Sequence, residues 1–191
     1  MALFTNVVTE DDFTAWATEG APTIAAITGP FGITTAYRVT YTSGSDLMRH
    51  EVSLPDLSKP IWFVVIIKEL SSFSMSLSRT SDLAAIIAFS VLSWTAGNAP
   101  SLDVAAGTLE EAERYDGTWW KLVFKQTNMV NADRASEVRF SPPADSSVDV
   151  YKVNVFTSST LPSRLYNAGE SAQDGWNSVS EPTTTWNEVA D

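Results

Sequence analysis

Two adjacent tryptophans followed by a lysine form the part of the sequence best suited to ligand chemistry. Trp119, Trp120 and Lys121 lie together in a run of β-forming residues. Neighbouring strand residues point to opposite faces, so one tryptophan fills the core while the other shares its face with Lys121. An indole can stack on a sugar ring, and polar groups beside it can bind the hydroxyls. We predict Trp119, Lys121 and Trp62 as candidate glycan contacts; the alternative is that the tryptophans only pack.

Four carboxylates, those of Glu110, Glu111, Glu113 and Asp116, are concentrated in one short segment. Glycoside hydrolysis needs two carboxylates that face one cleft at a defined separation, and a cluster within a single loop does not provide that geometry. We therefore expect a solvated acidic loop and predict no catalytic residue. A structural calcium ion is the alternative, because oxygen ligands are plentiful, although no loop has EF-hand spacing.

The single histidine, His50, precedes Glu51, and such a pair could relay a proton. A histidine at a surface or strand end without a chemical role is the simpler interpretation. Glycine-rich phosphate motifs and nucleophile motifs are missing from the sequence, and no serine has a candidate base. The chain also has no cysteine, which excludes disulfides and thiolate metal sites. We predict a protein that is not an enzyme and has no cofactor.

Charge and composition exclude two classes of partner. The 191 residues include 12 Lys+Arg and 23 Asp+Glu, a formal net charge of −11, which argues against nucleic-acid binding. The apolar runs are too short to span a bilayer, and no basic and apolar leader opens the chain, so we expect synthesis in a cytoplasm and no membrane partner. Hydrophobic residues make up 44% of the chain, enough for one packed domain.

The pattern of apolar residues predicts an all-β protein. Apolar residues alternate with serines at 72–78, and 61–68 is a continuous apolar run typical of a strand buried on both faces. The apolar phase shifts within 147–156, which predicts a β-bulge. Residues 83–92 fit either a helix or a buried strand, and 107–117 favours a loop or short helical turn. Seven or eight strands are expected, with the others at residues 34–42, 119–127 and 136–140.

The last 34 residues of the chain differ from the rest in composition. They are rich in Ser, Thr, Asn, Gly and Pro, and carry two tryptophans, Trp176 and Trp186. Such a composition cannot build its own core. We predict a two-sheet antiparallel β-sandwich, jelly-roll-like, over 1–157 and an extended C-terminal arm over 158–191. Tryptophans are enriched at binding hot spots, so these two are candidate partner anchors; the alternative is that they fold back on the sandwich.

The order of these features resembles the β-sandwich modules that recur in tailed-phage structural proteins and are similar to carbohydrate-binding modules. The resemblance covers roughly residues 4 to 157, and its most specific element is the run D-G-T-W-W-K-L at 116–122. Two positions depart from the pattern of these modules. They often have an arginine where this chain has Lys121, and a Trp-Gly pair where this chain has residues 152–154. The other matching parts are Phe13 with Trp16, and the stretches 29–39, 62–68 and 107–113.

This resemblance implies the fold and a viral setting, but not sugar binding in every member. We therefore expect a non-enzymatic bacteriophage virion structural protein, in its sharpest form a capsid decoration (cement) protein that binds the particle through its sandwich and arm. The expected partners are the major capsid protein or other virion proteins and further copies of the chain. The alternative is a carbohydrate-binding head-fibre, collar or tail component used in host attachment.

Overall fold

A computed structural model describes residues 3–32, 36–69, 73–141, 143, 145–162, 165 and 171–173. These residues form fourteen β-strands and three short 3-10 helices. The strands are β1 (Leu3–Thr5), β2 (Ala17–Glu19), β3 (Thr23–Ile27), β4 (Ala36–Tyr41), β5 (Leu47–Ser53), β6 (Ile61–Lys68), β7 (Ser74–Arg79), β8 (Ala85–Ser93), β9 (Ser101–Ala106), β10 (Thr108–Asp116), β11 (Trp119–Gln126), β12 (Ala135–Phe140), β13 (Ser146–Thr157) and β14 (Ser171–Gln173). The 3-10 helices span Phe13–Ala15, Pro30–Gly32 and Asn131–Arg134.

Two antiparallel sheets of six strands form the sandwich. Sheet I has the strand order β10-β11-β6-β13-β4-β3, and sheet II has the order β2-β5-β12-β7-β8-β9. The all-β, two-sheet architecture predicted from the sequence is therefore confirmed. A separate two-stranded sheet pairs β1 with β14, so the N-terminal strand lies beside a strand of the C-terminal segment.

The core lies between sheets I and II and is rich in aromatic residues. In strand β6 the side chains of Phe63, Val65 and Ile67 point into the core and are fully buried. The residues between them point to the outer face of sheet I. Across the core, the ring of Phe89 in β8 stacks on the ring of Phe124 in β11, with centroids 4.1 Å apart and planes 15° apart. Aromatic contacts of this kind join the two sheets.

Most of the predicted strands are present. The Ser-alternating segment forms β7, and the continuous apolar run forms the central strand β6. The predicted β-bulge lies in β13, where the pairing with β6 shifts register between Val150 and Lys152. The segment that fitted helix or strand is strand β8, with Leu83 in the turn before it at a φ of 58°.

One predicted loop is wrong, and the strand count was too low. Residues 108–116 form the edge strand β10, paired with β11 over its whole length. A register shift between Leu109 and Glu111 breaks the period-2 pattern that would have marked the strand in the sequence. Leu109 and Ala112 contact the core although charged residues surround them. The other missed strands are β2, β3, β5 and β9, which lie at or next to sheet edges, together with the β1–β14 pair.

The C-terminal segment first crosses the sandwich and then returns to the N-terminus. Ser158 donates its amide proton to Pro60, and its carbonyl accepts a hydrogen bond from the indole of Trp62 at 3.0 Å. Leu161 and Leu165 then pack on sheet I. The predicted boundary at residue 157 remains a prediction, and the first residues after it contact the sandwich.

Candidate functional site

The outer face of sheet I carries the predicted glycan contacts. Alternation along β6 places Trp62, Val64 and Ile66 on this face, and β11 adds Trp119, Lys121 and Val123. The strands are antiparallel and in register, so Trp62 lies directly opposite Lys125 and Trp119 directly opposite Lys68. Trp120 points to the other side, where its indole donates a hydrogen bond to Glu69 at 2.9 Å. The predicted division of the two adjacent tryptophans between opposite faces is present.

Neither tryptophan of this face presents a free ring. Trp119 is 4% exposed and Trp62 is 7% exposed. The ammonium of Lys125 lies 4.8 Å from the ring centroid of Trp62, and that of Lys68 lies 5.9 Å from that of Trp119. Such lysines cover the indoles and gain a cation–π attraction. A direct role of these two rings in glycan stacking would require the side chains above them to move.

A cavity of about 400 Å³ opens on the same face. Its floor consists of Val64, Val123 and Phe156. One wall is made by the C-terminal segment through three apolar residues, and the remaining lining is polar or aromatic. The wall residues are Leu161, Pro162 and Leu165, and the polar and aromatic lining comes from Glu113, Tyr115 and Lys121. The structure therefore places Lys121 of the predicted set in a cavity, and brings it together with residues that the prediction did not include.

Lys121 binds two carboxylates of β10. Its ammonium nitrogen lies 3.0 Å from an oxygen of Glu111 and 2.5 Å from one of Glu113. Burial of Lys121 lowers its pKa, but the hydrogen bonds to Glu113 and Glu111 outweigh this and raise the pKa above its ordinary value. The lining of the cavity thus carries a fixed cation at neutral pH.

An exposed aromatic ring that the sequence did not single out lies beside Tyr115, a residue of the cavity lining. Phe31 is 66% exposed, and its ring meets that of Tyr115 edge-on at 5.4 Å. Burial raises the pKa of the Tyr115 phenol, so it remains protonated at neutral pH. The signal in the sequence is the large aromatic residue between Pro30 and Gly32, in a stretch whose proline and glycines are typical of a turn.

Three of the four acidic side chains in this segment bind other groups of the protein. Glu111 and Glu113 share Lys121, while Asp116 accepts a hydrogen bond from the backbone amide of Phe31. In the part of the chain that the structure describes, no group of three or more histidine or acidic side chains could hold a metal ion.

His50 has a structural environment. Its ring stacks on Trp16 with centroids 4.9 Å apart, and its Nε2 accepts a hydrogen bond from the amide of Thr9 at 3.3 Å. Both predicted partner anchors, Trp176 and Trp186, lie outside the described residues. No helix in the described ranges is long and apolar enough to cross a membrane.

Comparisons with known proteins give structural matches alone. No protein-family model matches the sequence, and no curated protein matches it. The similar solved structures include the enzymatically active domain of tailspike protein 4 of bacteriophage CBA120, with 8% identity, a TM-score of 0.49, and coverage of 78% of this chain and 21% of that chain.

Two carbohydrate-binding modules are also similar. The CBM22-1 xylan-binding domain from Paenibacillus barcinonensis has 10% identity, a TM-score of 0.48, and coverage of 82% of this chain and 94% of its own. A family 11 module from Clostridium thermocellum, solved with a mixed-linked tetrasaccharide, has 11% identity, a TM-score of 0.43, and coverages of 81% and 96%. Neighbours of the two kinds expected from the resemblance are thus found. At these identities and TM-scores the likeness concerns the general fold and says nothing about what this chain binds.

Proposed function

We propose that this chain is a non-enzymatic structural protein of a bacteriophage particle that binds carbohydrate through the cavity on the outer face of sheet I. The observation that supports the proposal is the make-up of this cavity. Its floor of Val64, Val123 and Phe156 is apolar, and Tyr115 and Lys121 stand beside that floor. Sugar rings have apolar faces edged by hydroxyls, and a mainly apolar pocket with few polar groups suits them.

The polar groups of the cavity are suited to binding hydroxyls. A lysine ammonium has three protons to donate, and carboxylates accept. Glu113 is 58% exposed at its side chain, whereas Lys121 is 20% exposed, so the carboxylate is open to solvent and the lysine is held in place beneath it. A sugar hydroxyl can accept a hydrogen bond from the ammonium group of Lys121 and donate one to the carboxylate of Glu113.

The same ion pairs support binding without hydrolysis. A glycosidase places one carboxyl group on each side of the scissile bond. Here Glu111 and Glu113 lie on one strand and converge on a single ammonium group. The proposal therefore assigns no catalytic residue and needs no cofactor.

A binding measurement with a matched lysine control tests this proposal. We expect the full chain to bind oligosaccharides of host-surface or plant-cell-wall type in calorimetry, without cleaving them. Lys121→Met should abolish or strongly weaken binding. Lys59→Met removes a lysine that pairs with Asp56 and does not line the cavity, and should bind like the wild type. Equal loss in both variants, or no binding by the wild type, would contradict the proposal.

Capsid decoration is the second candidate, and the course of the C-terminal segment favours it. Leu161 and Leu165 lie on the outside of the sandwich, and Ser171–Gln173 pairs with Leu3–Thr5. A segment laid along the outer surface can contact neighbouring subunits, and many weak contacts on a symmetric lattice add to a strong attachment. The major capsid protein, other virion proteins and further copies of this chain are the proposed partners.

Truncation after residue 173 tests the decoration role separately from the fold. It removes Trp176 and Trp186 and keeps every residue that the structure describes. Fewer copies bound per particle, with an unchanged circular dichroism spectrum, is the expected result. Unchanged attachment would show that the removed residues do not anchor the protein. Immunogold labelling of the head would support decoration, whereas labelling of the tail tip would favour a role in host attachment.

A further inference from the structure

Phe31 is the most exposed large hydrophobic residue of the described chain, and its ring contacts a residue that lines the cavity. Its side chain is 66% exposed, and its ring lies 5.4 Å from the ring of Tyr115, which lines the cavity. Tyr115 in turn lies 6.3 Å from Tyr151. An aromatic path therefore continues from the cavity lining out to solvent.

The backbone holds Phe31 in an unfavourable conformation. Its φ of 56° lies in the left-handed region, which costs energy for any residue with a Cβ and persists only where the surroundings hold it. Here Asp116, at the end of β10, accepts the amide proton of Phe31 at 2.5 Å. The turn is thus fixed by a carboxylate 85 residues further along the chain. Packing in the protein's own core does not explain why an apolar ring is fixed in this exposed position.

We propose that Phe31 is a second stacking surface, so that the ligand is an oligosaccharide chain running from the cavity across Tyr115 onto Phe31. This inference rests on the proposed carbohydrate binding and specifies its ligand as a chain rather than a single sugar. An aromatic face outside a pocket stacks on a sugar unit that the pocket itself does not enclose. Asp116 is a positioning residue, which acts on the ligand only through the backbone of Phe31.

The dependence of affinity on chain length tests this proposal in the full-length protein. The probes are xylose, xylobiose, xylotriose and xylohexaose, with the glucose series of the same lengths, measured by calorimetry. We expect the affinity of the wild type to rise with length. Phe31→Ala should weaken binding of the longest bound sugar about tenfold and that of the shortest by less than about twofold. Asp116→Ala, which removes the acceptor of the Phe31 amide proton, should weaken the long sugar in the same length-dependent way.

A matched control separates stacking from a general loss of apolar surface. Leu92 in β8 of sheet II is 65% exposed, almost the same as Phe31, and does not line the cavity. Leu92→Ala should bind every sugar like the wild type. An affinity of the wild type that does not depend on length, or an equal loss for short and long sugars in Phe31→Ala, would overturn this proposal but leave carbohydrate binding intact. Absence of binding to every sugar would contradict the proposed function itself, and this inference with it.

Discussion

The rings of Phe89 in sheet II and Phe124 in sheet I stack on each other across the core, with centroids 4.1 Å apart. Their exposures are 2% and 0%, so this contact joins the two sheets where no water enters. Parallel rings at this distance attract each other beyond the gain from burial alone. The pair therefore offers a direct measure of how strongly the sheets are coupled.

A double-mutant cycle on this pair should show positive coupling. We expect Phe89→Leu and Phe124→Leu each to lower the free energy of unfolding by about 1–2 kcal/mol. The double variant should lose less than the sum, by about 0.5–1.5 kcal/mol. Urea denaturation gives these values. Phe63 lies 6.4 Å from Phe124 at a 40° tilt, and the cycle of these two residues should show weaker coupling. Equal coupling in both cycles would mean that the stacked geometry adds nothing.

Arg38 and Asp149 form a two-pronged ion pair on the outer face of sheet I. They are directly opposed on β4 and β13 and share two hydrogen bonds of 2.7 and 2.8 Å. The planar guanidinium fits the carboxylate, and lysine cannot reproduce this fork. Because Arg38 is 51% exposed, solvent screening limits the effect, and Arg38→Lys should lower the free energy of unfolding by about 0.5–1 kcal/mol.

The control for this prediction is the Lys59–Asp56 pair, in which both side chains are more than a third exposed. Lys59→Met should change the free energy of unfolding by less than about 0.5 kcal/mol. A loss as large as that of Arg38→Lys would show that alignment and burial do not distinguish the two pairs.

His50 should make stability depend on pH in the mildly acidic range. Burial lowers the pKa of His50 below its ordinary value of 6.5, so the unfolded chain takes up a proton before the folded chain does. Its contribution to stability is present above the unfolded pKa and is lost as pH falls through the folded pKa. The free energy of unfolding should therefore fall between about pH 7 and 5 in the wild type.

His50→Gln should flatten this slope, because glutamine does not titrate. The carboxylates with lowered pKa act in a separate and more acidic window, since the pKa of Asp56 falls from 3.8 to about 2 through bonds to Ser58 and Lys59. A nuclear magnetic resonance titration reads the pKa directly, as the chain has one histidine. The prediction would be contradicted if the free energy of unfolding had the same pH dependence in the wild type and in His50→Gln. It would also be contradicted if the measured pKa of His50 were at or above 6.5.

Gly20 should be intolerant of a side chain, unlike Gly44. Gly20 has a φ of 75°, and a Cβ there would lie 2.1 Å from a carboxylate oxygen of Asp46. That carboxylate cannot move freely, because it accepts amide protons from Ala21, Thr42 and Ser43. Gly20→Ala should therefore lower the urea midpoint clearly. A Cβ at Gly44 meets nothing within 4 Å, so Gly44→Ala should stay near the wild type. Equal midpoints would contradict the close approach.

Two truncations should distinguish the effect of Leu161 and Leu165, which cover part of sheet I, from the effect of the residues after 173. A chain ending at residue 157 loses Leu161 and Leu165, which pack on Trp62, Val64 and Phe156. We expect it to fold but to have a lower urea midpoint and to bind a hydrophobic dye, because an apolar patch becomes exposed. The chain that ends at residue 173 should match the wild type in both measurements. Identical urea midpoints and dye binding for the two truncated chains would mean that Leu161 and Leu165 do not shield the apolar surface of sheet I.

The sequence by itself determined those features that depend on neighbouring residues. Alternation fixes which side chains share a face, so the opposite placement of Trp119 and Trp120 and the bulge in β13 were predictable. The strand β10 was missed because its own bulges interrupt that alternation and because charged residues hide its two core contacts. The pattern of apolar residues likewise predicts an all-β fold.

Only the tertiary structure decided the site. Lys125 and Lys68 cover the tryptophans because strand register sets each lysine opposite an indole, and the register of β6 with β11 is a long-range property. The hydrogen bond between Phe31 and Asp116 is also a long-range contact, because the two residues are 85 positions apart in the sequence. Local sequence patterns determine which side chains share a face and where turns occur. Which side chains meet at a surface depends on which strands lie side by side in the folded protein.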